Sequence, residues 1–261
     1  MSQPVPEGRW RSMRIHSLLL LLTLMFSLTL GGCGKRYGAL PDLAAIEDVS
    51  LMKRTFYGYL QPIAAQENSR ILQQRADLAP IRARLQKNEG ASWFQRRELK
   101  ALARDYEVDW EPDDLLGVVD RLWLRVDAIP EELALAQAAK ESGWGRSRFA
   151  VEVNNLFGQW CYQPGCGLVP KRRSSSATHE VAAFASVSDS VRGYMNNLNT
   201  HAQYTDMRRL RAAQRENQLA PTGAALAPGL LSYSERGSLY VDEILSMMQR
   251  NSELLAGLGE T

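Results

Sequence analysis

The run Ala136-Gln137-Ala138-Ala139-Lys140-Glu141-Ser142, halted by Gly143 and Gly145 on either side of Trp144, constrains this chain more than any other stretch. The pattern predicts a helix that Asp127 can cap, with Pro130 in its first turn and Glu131 and Glu132 at its positive N-terminal end. Leu133, Leu135, Ala136, Ala138 and Ala139 make the helix apolar on most sides, so it belongs in an interior rather than on a surface. Its last turn carries a carboxylate, Glu141. The residues three, four and seven before it are Ala138, Gln137 and Ala134, a small and mostly apolar face, and Lys140 points about 100° away around the helix. Burial, the partial negative charge of the helix C-terminus and the lack of a facing cation all push the pKa of Glu141 up. A carboxyl tuned this way stays protonated near neutrality and can donate to a leaving group. The plainer reading is a surface glutamate closing an amphipathic helix.

Beyond the glycines the pattern changes. Residues 154–185 lack helical periodicity and are rich in Gly, Pro and Ser, which predicts a loop-and-hairpin lobe with Ser174-Ser175-Ser176 at a flexible tip. Helices are expected to resume at 188–199, 205–217 and 238–250. Upstream, Leu51, Phe56, Tyr59 and Leu60 mark one amphipathic piece that Pro62 interrupts, and Ile71, Leu72, Leu78, Ile81 and Leu85 mark another. Ser92 with Gln95 forms a capping-box pattern ahead of Leu99, Leu102 and Tyr106.

Four motifs point the same way. Glu-Ser-Gly-Trp-Gly at 141–145 is followed by Asn154-Asn155-Leu156-Phe157-Gly158, then by Phe184-Ala185-Ser186-Val187-Ser188-Asp189 running to Tyr194, and by Tyr233-Ser234 with Tyr240. In this order they resemble the bacterial glucosaminidase family, glycoside hydrolase family 73, across roughly residues 116–250. Asn199-Thr200-His201 with Tyr204 resembles its Bax-like branch. The resemblance implies a mainly α (α+β) lysozyme-like helical domain with a small β-lobe over a cleft. It also implies hydrolysis of the β-1,4 bond next to N-acetylglucosamine in peptidoglycan. Glu141 matches the family's general acid, Tyr233 matches a tyrosine of the catalytic cleft, and Trp144, Asn155, Phe157 and Tyr240 fall at positions expected to contact or shape the substrate site.

Two departures bear on mechanism. Family members often carry a second carboxylate early in the β-lobe, where this chain reads Leu168-Val169-Pro170-Lys171-Arg172-Arg173. Glu180 is the only acid of that lobe, and Asp189, in the acidic motif position, reads more simply as a helix cap. Glycosidases usually set two carboxylates about the scissile bond. Either Glu180 activates water from a mobile lobe, or the substrate's own 2-acetamido group attacks the anomeric carbon with Tyr233 orienting it. A lytic transglycosylase and a non-catalytic peptidoglycan-binding lipoprotein are the competing functions.

The N-terminus reads as a targeting segment. Arg9, Arg11 and Arg14 precede an apolar run from Leu18 to Leu30, shorter than a membrane span. It ends Leu30-Gly31-Gly32-Cys33, which resembles a lipoprotein cleavage box, with Cys33 as the lipidated residue. The alternative is a plain signal peptide with an incidental cysteine. The expected organisation is a signal peptide over 1–33, a tether over 34–45, a helical module over 46–115 and the glucosaminidase domain over 116–261. The expected address is the outer membrane, facing the periplasm. Cys161 and Cys166 then form a disulfide across Pro164-Gly165 in an oxidising compartment. Their spacing does not suit a metal site, and with three histidines in 261 residues no zinc centre and no cofactor are expected. A net charge of +2 is nearly balanced and points to no special partner, and the absence of a nucleic-acid signature leaves nucleic acid unexpected. Lys171-Arg172-Arg173 is either solvated surface or a contact for acidic groups of peptidoglycan. The expected partners are glycan strands and a membrane, and the chain is expected to be a monomer.

Overall fold

A computed structural model describes residues 39–171, 173 and 177–256. The segment expected to be a signal peptide with Cys33, the first part of the expected tether, Arg172 and the serine triplet lie outside the described residues. What is described is mainly α with a small three-stranded lobe.

The longest element, α1 (Val49–Gln86), runs 38 residues, about 57 Å at 1.5 Å per residue. Asp48 caps it by accepting from the backbone N–H groups of Ser50 and Leu51. It continues through both Pro62 and Pro80, contrary to the interruption expected at Pro62. A proline within a helix costs about 3 kcal/mol. The buried stripe Phe56, Leu60, Ile63, Ile71, Leu78, Ile81 and Leu85 keeps one side of α1 in contact with the core on both sides of Pro62, and at about 2 kcal/mol per buried side chain that stripe outweighs the local penalty. Ser92 and Gln95 form the expected reciprocal capping box on α2 (Trp93–Asp105). The amphipathic α3 (Leu115–Arg125) then lies against α1 through Val118, Val119 and Leu122.

The connection from α3 to the next helix is pinned by side chains from distant elements. Asn68 donates to the Ile129 carbonyl (2.7 Å) and accepts from its N–H (3.0 Å). Arg75 donates to the carbonyls of Trp123 and Val126, and the fully buried Arg211 to those of Leu124, Arg125, Asp127 and Ala128. Asp127 does not cap the following helix as expected. Its buried carboxylate pairs with Arg215 (2.8 Å) and lies within 4 Å of Arg75 and Arg211. Burial opposes its ionisation, but the Arg215 hydrogen bond and the charges of Arg211 and Arg75 hold its pKa below the ordinary value.

That helix, α4 (Glu131–Ser142), starts at Pro130 with no side-chain cap, and Leu133 to Ala139 are buried on all sides. It is the central rod of the molecule. After α5 (Arg148–Val153) come β1 (Trp160–Cys161), β2 (Gly167–Leu168) and β3 (Glu180–Ala182), ordered β1-β3-β2 with both pairs antiparallel. Trp160 pairs with Val181 and Gly167 with Ala182. A Cβ on Gly167 would sit 1.9 Å from the Val181 carbonyl, so only glycine lets these strands close. The Cys161–Cys166 disulfide closes the lobe's turn, with Cα atoms 6.2 Å apart.

Three of the remaining helices lie where expected, α6 (Val187–Thr200), α7 (Thr205–Glu216) and α9 (Ser238–Arg250); the short α8 (Gly223–Leu226), in a stretch expected only to separate helices, and the last, α10 (Ser252–Ala256), are additional. Short 3-10 turns, Ala202–Tyr204 and Ala227–Tyr233, join them. Ser186, not Asp189, caps α6; its hydroxyl accepts from the Asp189 N–H (3.1 Å) and donates to the Asp189 carboxylate (2.7 Å). His201 takes the structural role expected of it, accepting from the Gln203 N–H at the start of a 3-10 turn. One hydrophobic core runs from Leu43 through α1, α3, α4 and α6 to Met248, so residues 46–115 and 116–250 share it.

Candidate active site

The end of α4 is built to present one carboxylate. Gly143 stops the helix in the left-handed conformation (φ 58°), and Trp144 and Gly145 continue left-handed at φ 61° and 74°. For a tryptophan this costs about 1 kcal/mol, which packing against Phe56 and Tyr57 offsets, with ring centroids 5.8 and 5.1 Å away. Gly145 leaves room for Leu40, Leu43 and Phe56, whose atoms lie 2.7–3.1 Å from where its Cβ would stand. Ser142 adds a clasp, donating to Ala138 (2.6 Å) and accepting from Gly145 (2.7 Å). Trp144 thus locks the turn onto α1, and Lys53 lies over its ring.

Glu141, half-buried, faces a group of aromatic side chains from several elements. Tyr194 of α6 stacks on Phe157 (3.9 Å, 9°). Tyr240 of α9 stacks on Tyr233 (5.2 Å, 12°), and Tyr204 lies 5.9 Å from Tyr233. Gln137, completely buried one turn before Glu141, links them. The Tyr194 hydroxyl donates to Gln137 Oε1 (2.5 Å), and Gln137 Nε2 donates to the Tyr240 oxygen (2.9 Å). The Tyr240 hydroxyl hydrogen-bonds Glu141. Because Tyr240 already accepts from Gln137, its own proton is free for the carboxylate.

The pKa of Glu141 is raised, chiefly by burial, and repulsion from Glu243 adds to this. The Tyr240 hydrogen bond and the neighbouring Lys140 charge oppose the shift without cancelling it. Lys140 is held on Glu243 at 2.5 Å, and Arg236 binds the same carboxylate, so this cation is spent elsewhere. Burial also raises the pKa values of Tyr194, Tyr204, Tyr233 and Tyr240, keeping these hydroxyls protonated donors.

The other residues singled out in the sequence fall into different settings. Tyr233 is half-buried, and its hydroxyl reaches the Phe157 carbonyl only at 3.4 Å. Phe157 is core, under Tyr194. Asn155 is buried and organises its turn, donating to the carbonyls of Gln159 and Ala182 and accepting from the N–H groups of Phe157 and Gln159. Glu180 is engaged by the hairpin: one oxygen accepts from Gly165 (3.0 Å) and the other from Gly167 (2.8 Å), and these bonds lower its pKa. Cys161, Cys166 and Glu180 come close together, but the sulfurs are bonded to each other. A recess of about 500 Å³ lined by Gln61, Asn68, Glu131 and Arg215 opens at the other end of α4, about 15 Å along the helix from Glu141. Gln137 is the residue whose role the sequence reading missed. A lone amide in an alanine-rich buried helix, one turn from a carboxylate, was the available signal.

A buried helix ending in a glutamate whose pKa is raised, with a tyrosine cluster beside it and a small β-lobe following, defines a lysozyme-like fold. The chain belongs to the glucosaminidase family: residues 119–253 match the model described as mannosyl-glycoprotein endo-beta-N-acetylglucosaminidase. That membership marks it as a glycosidase-type enzyme acting on glycans. Among its relatives is Protein bax of Escherichia coli (strain K12), 32% identical over 220 residues, which span 84% of this chain and 76% of that protein. No solved structure matches.

Proposed function

We propose that the protein is a peptidoglycan hydrolase that cleaves the β-1,4 bond following N-acetylglucosamine, with Glu141 as general acid. The observation that carries this reading is the raised pKa of a carboxyl that is half-buried, whose neighbouring cation Lys140 is paired with Glu243, and that is addressed by the Tyr240 hydroxyl. A protonated Glu141 gives its proton to the departing glycosidic oxygen. Both Glu180 oxygens are committed to backbone N–H groups, which favours the sugar's own acetamido oxygen as the group that attacks the anomeric carbon. As that C–O bond forms, the glycosidic C–O bond breaks, giving a cyclic oxazolinium. Water then opens the ring and returns its proton to Glu141. The half-buried Tyr233 hydroxyl, weakly engaged at 3.4 Å, is the group available to orient the acetamide.

The oxidised Cys161–Cys166 pair fits an envelope location, and we take the protein to be a monomer anchored through a lipidated Cys33 to the outer membrane, facing the periplasm. Digestion of purified sacculi with mass analysis of the fragments tests the function. Wild type is expected to release fragments with N-acetylglucosamine at the reducing end. Glu141→Gln is expected to lose at least about 100-fold in rate with an unchanged circular dichroism spectrum. Anhydro-muramic ends would establish a lytic transglycosylase, and equal rates for the two proteins would remove Glu141 from the chemistry.

A further inference from the structure

Helix α2 opens with two large aromatic side chains in water. Trp93 and Phe94 are 65% and 71% exposed and stand edge to face, with centroids 4.9 Å apart. The buried side of α2 is made by Leu99 and Ala103. At 100° per residue, Arg97, Lys100 and Arg104 follow Trp93 down a different, solvent-facing side, and all three are exposed. Arg97 lies 5.9 Å from the Trp93 ring centroid. Exposed Lys87 and Arg96 flank the aromatic pair in sequence. The exposed acids in α2 are Glu98 and Asp105, and Asp105 is paired with Arg104.

We propose that this corner of the molecule docks on an anionic lipid surface, with Trp93 and Phe94 at the boundary between headgroups and acyl chains and Arg97 and Lys100 on the lipid phosphates. Charge complementarity selects this occupant: Arg97 and Lys100 follow Trp93 down one stripe and outnumber Glu98, the one exposed acid of α2 not paired with Arg104, and a tryptophan, apolar in body with one N–H to satisfy, suits the boundary between hydrocarbon and water. Adjacent on one helix, the two rings pack against each other at 81° and form a wedge rather than a flat face, which a fluid lipid surface accommodates. Among the described residues no helix is long and apolar enough to cross a membrane, so the contact is peripheral. The inference is independent of the glycosidase reading, and its test involves no glycan.

The full-length chain is reconstituted with vesicles of phosphatidylcholine, with or without phosphatidylglycerol, containing lipids brominated along the acyl chain that quench tryptophan on contact. Quenching is expected in the anionic vesicles, and Trp93→Phe is expected to remove that component. Residues this exposed tolerate substitution, and circular dichroism of each variant checks the fold. Arg97→Glu combined with Lys100→Glu is expected to lower the ratio of docked to undocked chain by about 25-fold or more, and added salt to act in the same direction. A difference in quenching between anionic and neutral vesicles that survives Trp93→Phe, or quenching that is equal in the two for the wild type, overturns the proposal. So does a patch that binds an acidic protein while leaving Trp93 unquenched.

Discussion

Glu141 stands between two opposed influences: burial favours its neutral form and the Tyr240 hydroxyl favours its anion. Gln137 decides how strongly the second acts, because its Nε2 occupies the Tyr240 oxygen and turns the phenolic proton toward the carboxylate. Tyr194 in turn fixes the amide by donating to its oxygen. Tyr240→Phe removes the donor, so the pKa of Glu141 rises further. A general acid works while protonated, so the basic limb of the pH–rate profile is expected to move to higher pH in this variant, as measured by sacculus digestion across pH. A limb left in place, or moved to lower pH, would show that Tyr240 does not act on Glu141. The carboxylate was legible in sequence, since an apolar helix ended by glycines is a local pattern. The relay was not, because Gln137 meets partners 57 and 103 positions away.

At the scale of elements, the same contrast separates what periodicity carries from what distant partners decide. Three helices after the lobe, α6, α7 and α9, lie where their amphipathic spacing put them, with Ser238–Arg250 matching its expected bounds. Asp127 looked locally like a cap, but three arginines from α1 and α7 recruit it as the anion of a buried cluster. Asp127→Ala leaves Arg211 buried without its counter-charge, and a loss of about 3–5 kcal/mol in unfolding free energy is expected, measurable by urea denaturation. The folded pKa of Asp127 is depressed, so its contribution is present above the unfolded value near 3.8 and is lost as pH falls through the folded one. The wild-type advantage over Asp127→Ala is therefore expected to shrink on acidification. In the lobe, replacing Cys161 and Cys166 with serine opens a short loop worth about 2 kcal/mol. Faster amide exchange is expected in Glu180–Ala182, with protection in α4 unchanged, because that helix packs chiefly on α1 and α9.

Over the whole molecule, one continuous core from Leu43 to Met248 makes the N-terminal helices part of the scaffold that holds α4 in place. Trp144 shows how: it is seated on α1 and fixes the turn that aims Glu141. The chemistry proposed for the family domain therefore depends on residues 49–86, which carry none of its motifs. All of it requires Glu141 to remain protonated where an ordinary glutamate has ionised. The raised pKa has a matching thermodynamic sign: the folded state binds this proton more tightly than the unfolded one, so the stabilisation is complete below the unfolded value and is lost as pH rises through the folded one. The most direct measurement is a carbon-13 NMR titration of the side-chain carboxyls, with the Glu141 signal assigned by its absence in Glu141→Gln. A midpoint above the ordinary value of 4.5, coinciding with the basic limb of activity, is the expected result. A midpoint at or below 4.5 would contradict the assignment of Glu141 as the acid.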